Sequence, residues 1–439
     1  MQRPAYELSR RAWLKSASAI GALAATGGLH AAQAARPKVA AVFTEFRHRS
    51  HAYDFLMNLM GRYLFRGQAV DPGVDVVSFY ADQFPKDDMA RDASKRFGIP
   101  LFASIDQALC LGKKDLTVDA VLLIGEHGNY PANELGQRMY PRKEFFDQAV
   151  AVMRRSNRYV PIFNDKHLSY RWDWAKAMYD EAKQLGIPLM AGSSVPLAQR
   201  IPPVELPADR TVEEAVSIHG GGMESYDFHA LEVLQSFLEF RSGGETGISR
   251  VEMLSGEAFR KAEADGRWSK DLVEAAMEAE RKADMQRATR PPSIPTVTPA
   301  GSHALLVTYK DGTKATILKL GSTPDRWNIA CRSNRRQSSA VALYNGPWGN
   351  FNLFSALSHA IVHFFKTGKS PYPVERTLLV GGVLDAAMHS HQAGDKPIDT
   401  PHLEFGYQAQ DFEPFCETGE SWRVLTPEAP TPTTFNPKG

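Results

Sequence analysis

Three short segments of this 439-residue chain set histidine beside carboxylate. Glu45, His48 and His51 lie in TEFRHRSHA, Glu126 and His127 in GEHG, and Asp165, Lys166 and His167 in NDKHL. Imidazole titrates near neutrality and carboxylates hold or accept protons, so such mixtures suit general acid/base chemistry or a nitrogen/oxygen site for a divalent metal. His48 and His51 are spaced i, i+3, which suits a shared metal on one helix face and equally a hydrogen bond at a helix start. The metal candidates are His48, His51, Glu126 and His167. A lysine beside Asp165 can hold a substrate hydroxyl or move a proton, or form a structural ion pair, and Lys166 is the strongest catalytic candidate. His229 stands one turn before Glu232 on a helix, and His219 precedes the Gly220-Gly221-Gly222 loop. Gly192-Ser193-Ser194 follows a strand and can bind a polar ligand or turn the chain.

The elements around these residues give them a common address. Lys38 to Val42 is an apolar, β-branched run that reads as a buried strand passing into a helix from His51 to Arg66. Strands at Val74–Tyr80, Ala120–Ile124, Val160–Phe163 and Leu189–Ala191 alternate with helices at Asp87–Phe97, Arg142–Ser156 and Trp172–Leu185. Continuous apolar strands alternating with helices imply a doubly wound parallel α/β sheet. Glu45, Glu126 and Asp165 then all leave carboxyl ends of strands and border the crevice where ligands sit in such sheets. Beyond a Pro-rich break at Ile201–Pro207 the pattern becomes α+β. Strands are expected at Ile248–Leu254, Ala304–Tyr309, Lys314–Leu320 and Ser338–Tyr344, the middle two joined by a tight turn at Asp311-Gly312. Helices follow at Leu353–Lys366 and Val374–His391.

The N-terminus reads as a leader. Ser9-Arg10-Arg11 gives a twin-arginine pattern, Ala17–Leu29 a small-residue apolar region, and Ala32-Gln33-Ala34 a cleavage site. The chain therefore divides into a signal peptide at 1–34, a sheet domain at 35–203, an α+β domain at 204–425 and a loose Pro/Thr-rich tail at 426–439. Export to the periplasm or outside the cell is expected, with no membrane integration after cleavage. A net charge of +1 gives no reason to expect nucleic acid. Cys110, Cys331 and Cys416 are odd in number and scattered, which supports neither a disulfide framework nor a thiolate zinc site.

This order of elements resembles the Gfo/Idh/MocA group (glucose-fructose oxidoreductase, inositol dehydrogenase, rhizopine catabolism). The resemblance implies a Rossmann-like domain followed by an open-faced, largely antiparallel sheet that can pair into a homo-oligomer. Asp82, closing the second strand in FYADQF, is similar to the family acid on the adenosine ribose. Asp165-Lys166 is similar to the Glu-Lys of the E-K-P motif, with His167 in place of proline. The run GGGMESYDFHALEVLQ from Gly220 resembles the family segment that carries its acid/base histidine, with His229 on that histidine. The resemblance implies an NAD- or NADP-dependent oxidoreductase acting on a sugar, polyol or related small molecule. Lys166, His229 and Asp165 would be catalytic, and Thr44, Glu45, Asp82, Glu126 and His127 would border the cofactor. The opening corner departs from this pattern, because Phe43, Glu45 and His48 occupy the three glycine positions of the fingerprint. A carboxylate about 4 Å from a diphosphate is repelled by about 4 kcal/mol at an effective dielectric of 20. Two readings therefore stand beside the oxidoreductase: a lyase, hydrolase or isomerase, with or without a metal, and a periplasmic carbohydrate-binding protein.

Overall fold

The computed structural model describes residues 35–204, 211–286, 301–333 and 337–438. The leader at 1–34 and the Pro-rich stretch at 291–299 lie outside the described residues. A first sheet is built from β1 (Lys38–Phe43), β2 (Asp75–Ala81), β3 (Leu101–Phe102), β4 (Ala120–Ile124), β5 (Ile162–Asp165) and β6 (Leu189–Gly192). Its order is β3-β2-β1-β4-β5-β6 and every pairing is parallel. The order reverses between β1 and β4, which places the ligand crevice of the fold at their carboxyl ends. All five residues of β4, AVLLI, are buried, as expected for a strand covered on both faces.

Helix α1 (His51–Leu59) follows β1, and α2 (Ala90–Phe97), α3 (Ile105–Cys110), α4 (Arg142–Arg155) and α5 (Trp172–Leu185) complete the wrapping. The first helix stops earlier than its sequence suggests. Residues 63–65 and 68–70 instead form a small antiparallel hairpin through Arg66-Gly67, both with positive φ.

The second sheet contains β7 (Gln199–Ile201), β8 (Val212–His219), β9 (Ile248–Ser255), β10 (His303–Tyr309), β11 (Lys314–Lys319), β12 (Trp327–Ser333), β13 (Gln337–Tyr344) and β14 (Ile398–Asp399). They run in the order β14-β9-β10-β11-β8-β12-β13-β7. The β8–β11 pair is parallel and the other pairs are antiparallel. The expected turn is present between β10 and β11, with Gly312 at φ 90°. Helices α6 (Ser225–Leu238), α7 (Gly256–Ala264) and α8 (Lys270–Gln286) belong to this part of the chain, with α6 packed on β8. Two long helices, α9 (Asn350–Thr367) and α10 (Val374–Gln392), join the lobes. α9 lies along α1, with the Phe354 ring 4.7 Å from Phe55 and 4.8 Å from His51. α10 packs against α6, α5 and β9.

The C-terminal segment differs from the loose tail expected of its composition. Phe435 is 4 % exposed, and its ring packs edge-on against Phe46 (4.8 Å) and Phe97 (5.5 Å). Arg96 donates to the Phe435 carbonyl (3.1 Å), and the backbone of Pro437 lies so close to Gly61 that a side chain there would collide. Apolar burial of one aromatic ring outweighs the looseness of a Pro/Thr-rich segment. Phe435→Ala should lower the unfolding free energy by about 3 kcal/mol, measured by urea denaturation.

Candidate functional site

Four chain segments meet between the lobes. The turn after β5 carries Asp165, Lys166 and His167, and Asn164 fixes it by donating to the His167 carbonyl (3.0 Å). Lys166 Nζ sits 3.2 Å from Glu126 Oε1, at the end of β4, and Arg142 at the start of α4 binds the other oxygen of Glu126. Gly125 permits this, because a Cβ there would stand 2.6 Å from the Arg142 side chain. Burial opposes the Glu126 charge, yet Lys166 and Arg142 hold the carboxylate well below its usual range. Glu126, Arg142, Lys166 and His167 line a polar cavity of about 290 Å³ together with Arg138, Tyr140 and Glu224. Arg142 is 2 % exposed, and its Nε and Nη1 have no protein partner. A buried guanidinium with free N–H groups on a cavity wall is set to receive an oxygen of a ligand.

His51, in the first turn of α1, joins this turn through Asp165 and is not itself among the lining residues. Its Nδ1–H donates to Asp165 Oδ2 (2.6 Å), which leaves Nε2 with a lone pair on a ring that is 15 % exposed. A histidine oriented in this way by a carboxylate is a general base whose charged form the carboxylate stabilises. On the other lobe, His229 Nδ1 is 2.6 Å from Ser193 Oγ. Ser193 Oγ also accepts from the Val195 amide (3.0 Å), which fixes the hydroxyl beside the ring. Burial, then the charges of Lys166 and His51, push the His229 pKa well down. His127 and His167 are lowered too, the first to about 3, chiefly by burial.

Backbone strain gathers at the same place. Among the described residues eight non-glycines have positive φ, and Arg49, His127, Lys166 and Glu224 are four of them, at 63–70°. Each costs on the order of 1–3 kcal/mol, and such residues persist where the surrounding structure fixes them for function.

The sequence-derived candidates separate on this geometry. Glu126, Lys166 and His167 line the cavity, while Asp165 orients His51 from beneath it. Glu45 pairs with Arg47 (2.5 Å) at the corner and is not among the lining residues. The proposed metal set does not assemble. His48 is exposed and packs on Tyr53, away from His51, whose Nδ1 is taken by Asp165, and His167 faces Glu224 at 3.6 Å. His219 is fully buried and belongs to a different cluster. Its Nε2 and that of His303 lie 2.9 and 2.8 Å from Asp227 Oδ1, and these are the only three such atoms among the described residues grouped closely enough for a metal. The Gly221 amide donates to His219 Nδ1 (3.3 Å), which keeps the ring proton on Nε2, where a metal would need the lone pair. The cluster is a hydrogen-bonded clamp. Asp227 Oδ2 accepts from the Glu224 amide (2.8 Å) and caps α6, the helix that carries His229. Sequence reasoning passed over Arg142, although a basic residue at the start of a helix, against the helix dipole, was a visible signal.

A nicotinamide dinucleotide is the cofactor this fold implies, and the residues present do not fit one. Thr44 donates to the Glu126 carbonyl (2.5 Å), and Phe43 and Phe46 are fully buried where the diphosphate would approach the backbone. Ser50 Oγ caps the first helix by accepting from the Tyr53 amide and also accepts from the Arg47 amide before it (3.3 Å each). At the crevice between β1 and β4 the rings of His51 and His127 meet edge to face at 5.0 Å. Asp82, the ribose acid by resemblance, accepts from the hydroxyls of Tyr80 (3.0 Å) and Tyr130 (2.5 Å).

No family model and no curated protein matches the chain. Solved structures do. GenD2 from gentamicin A biosynthesis, in complex with NAD, superposes with a TM-score of 0.54 at 14 % identity, covering 86 % of this chain and 99 % of that one. A probable dehydrogenase from Thermotoga maritima gives 0.51 at 10 % identity, covering 83 % and 99 %. The apo scyllo-inositol dehydrogenase from Lactobacillus casei gives 0.50 at 12 % identity, covering 83 % and 98 %. The fold is that of the Gfo/Idh/MocA-type dehydrogenases, as the motifs suggested.

Beneath the site, Glu232 is fully buried, accepts from Thr377 Oγ1 (2.7 Å), and is pushed by burial from 4.5 up to about 7. The folded state thus holds this proton more tightly than the unfolded chain. Stability from this group is full below pH 4.5 and is lost as pH rises toward 7, by about 3 kcal/mol. Asp54, also raised to about 7 by burial, adds a slope of the same sign. Glu232→Gln should remove its own share, so that urea unfolding between pH 4.5 and 7 shows a shallower fall than in the parent.

Proposed function

We propose that the protein is an enzyme of the Gfo/Idh/MocA oxidoreductase fold that moves a proton on a sugar, polyol or related hydroxylated small molecule. The observation that carries this reading is the cavity in which Lys166 and the unpartnered face of Arg142 meet beside the His51–Asp165 pair. A substrate oxygen is held by the two cations, His51 Nε2 takes the proton, and Asp165 stabilises the imidazolium that forms. The dehydrogenases that share the fold include inositol and aminoglycoside-pathway proteins, which favours a polyhydroxylated ring as substrate. The twin-arginine leader favours export of the folded chain to the periplasm or beyond, and the open second sheet favours a homo-oligomer.

Saturation-transfer NMR on the mature chain with myo-inositol, glucose and glucuronate tests the binding step. At least one should bind. Lys166→Ala should weaken it about tenfold, the worth of one charged hydrogen bond, in protein shown to be folded by circular dichroism at the assay temperature. Full affinity in Lys166→Ala would remove that residue from the proposed role.

A further inference from the structure

We infer that the reaction is redox-neutral: this chain enolises the carbonyl form of a hydroxylated substrate, as an isomerase or epimerase does, instead of passing a hydride to a nicotinamide. The inference rests on the substrate reading above and adds the reaction type and the substrate's carbonyl. Two independent sets of observations lead to it.

The first is that the corner after β1, where a diphosphate would sit, is filled by the chain itself. The backbone at the end of β1 is closed by paired amides: Thr44 N donates to the Ile124 carbonyl (3.1 Å), Gln83 N to the Thr44 carbonyl (2.7 Å) and Met89 N to the Phe46 carbonyl (2.7 Å). No glycine remains to let a diphosphate approach, and Glu45, 5 % exposed, adds negative charge there. The His51 and His127 rings stand in the crevice where strand order reverses. These contacts tie the segments that follow β1, β2 and β4 to one another.

The second is that the groups assembled instead are those an enolisation uses. The base is present as His51 held by Asp165. The developing oxyanion is met by Lys166 and by the two buried and unpartnered nitrogens of Arg142. Pre-placed donors of this kind stabilise charge that appears only during reaction. The step balances without a co-reactant. The C–H bond beside the carbonyl breaks and its proton goes to His51 Nε2. That electron pair forms the new C=C bond, and the carbonyl π pair moves onto oxygen, where Arg142 and Lys166 hold it. Return of the proton from His51 to the same face restores the substrate, delivery of a water proton to the opposite face inverts that carbon, and return to the former carbonyl carbon, with the hydroxyl proton passing to the former carbonyl oxygen, shifts the carbonyl.

Incubation of the mature protein in D2O with fructose, glyceraldehyde or a 2-keto-inositol, without nucleotide, reads the step directly by NMR. Deuterium should enter at the carbon beside the carbonyl of at least one probe. His51→Gln should slow entry at least a hundredfold at an unchanged thermal midpoint. In a second arm, NAD and NADP at 1 mM should produce no tryptophan-to-nicotinamide energy transfer. Nucleotide binding, absence of exchange on every probe, or full exchange in His51→Gln each overturns the inference. Polyol binding that weakens in Lys166→Ala while no exchange occurs would spare the substrate reading and refute only the reaction type.

Discussion

One carboxylate, Glu126, is shared by two cations in a place almost without water. Taking three charges out of solvent is expensive, and the arrangement is tolerable only because Coulomb attraction and hydrogen bonds act at short range in a low dielectric. The sharing leaves the cavity with a surplus of positive charge, since one anion faces Lys166 and Arg142 together. The position of the turn after β5, the close approach of α4 to Gly125 and the strained backbone at Lys166 all follow from the need to bring these groups together. The acid/base groups are arranged around this charged floor.

The same constraint explains how a nucleotide-binding architecture can be kept while its usual contact surface is replaced. The sheet order, the reversal between β1 and β4 and the second-domain sheet are those of dehydrogenases, but helix α1 begins at His51, well beyond the end of β1 at Phe43. The intervening residues replace the glycine turn, and the first residue of the helix brings an imidazole against His127 at the crevice. Fold and chemistry are separate properties here, as they are in other widely used folds.

Much of this was legible in the amino-acid order. Strands buried on both faces announce themselves as continuous apolar runs, so β1, β2 and β4 and the helices between them were readable, and with them the crevice on which Glu126 and Lys166 converge. What stayed hidden has physical reasons. β8, VEEAVSIH, begins with two acids and reads weakly as a strand, and only pairing with β11 and β12 makes it one. The His51–Asp165 bond spans 114 residues, and no local spacing encodes it. The i, i+3 spacing of His48 and His51 suggested a shared helix face, but the helix starts between them, at the Ser50 cap. Ser193 appeared only as part of a small turn, and its contact with His229 joins residues 36 positions apart.

The anchoring of Phe435 against Phe46 and Phe97 has a bearing on how the chain comes into being. The core beneath α1 is finished by the Phe435 ring and by α9, both made long after the sheet domain. A ribosome delivers the sheet domain first, yet that domain has an uncovered apolar seam until these later segments fold back on it. The first lobe therefore cannot close its own core, and a product cut short before α9 exposes that seam.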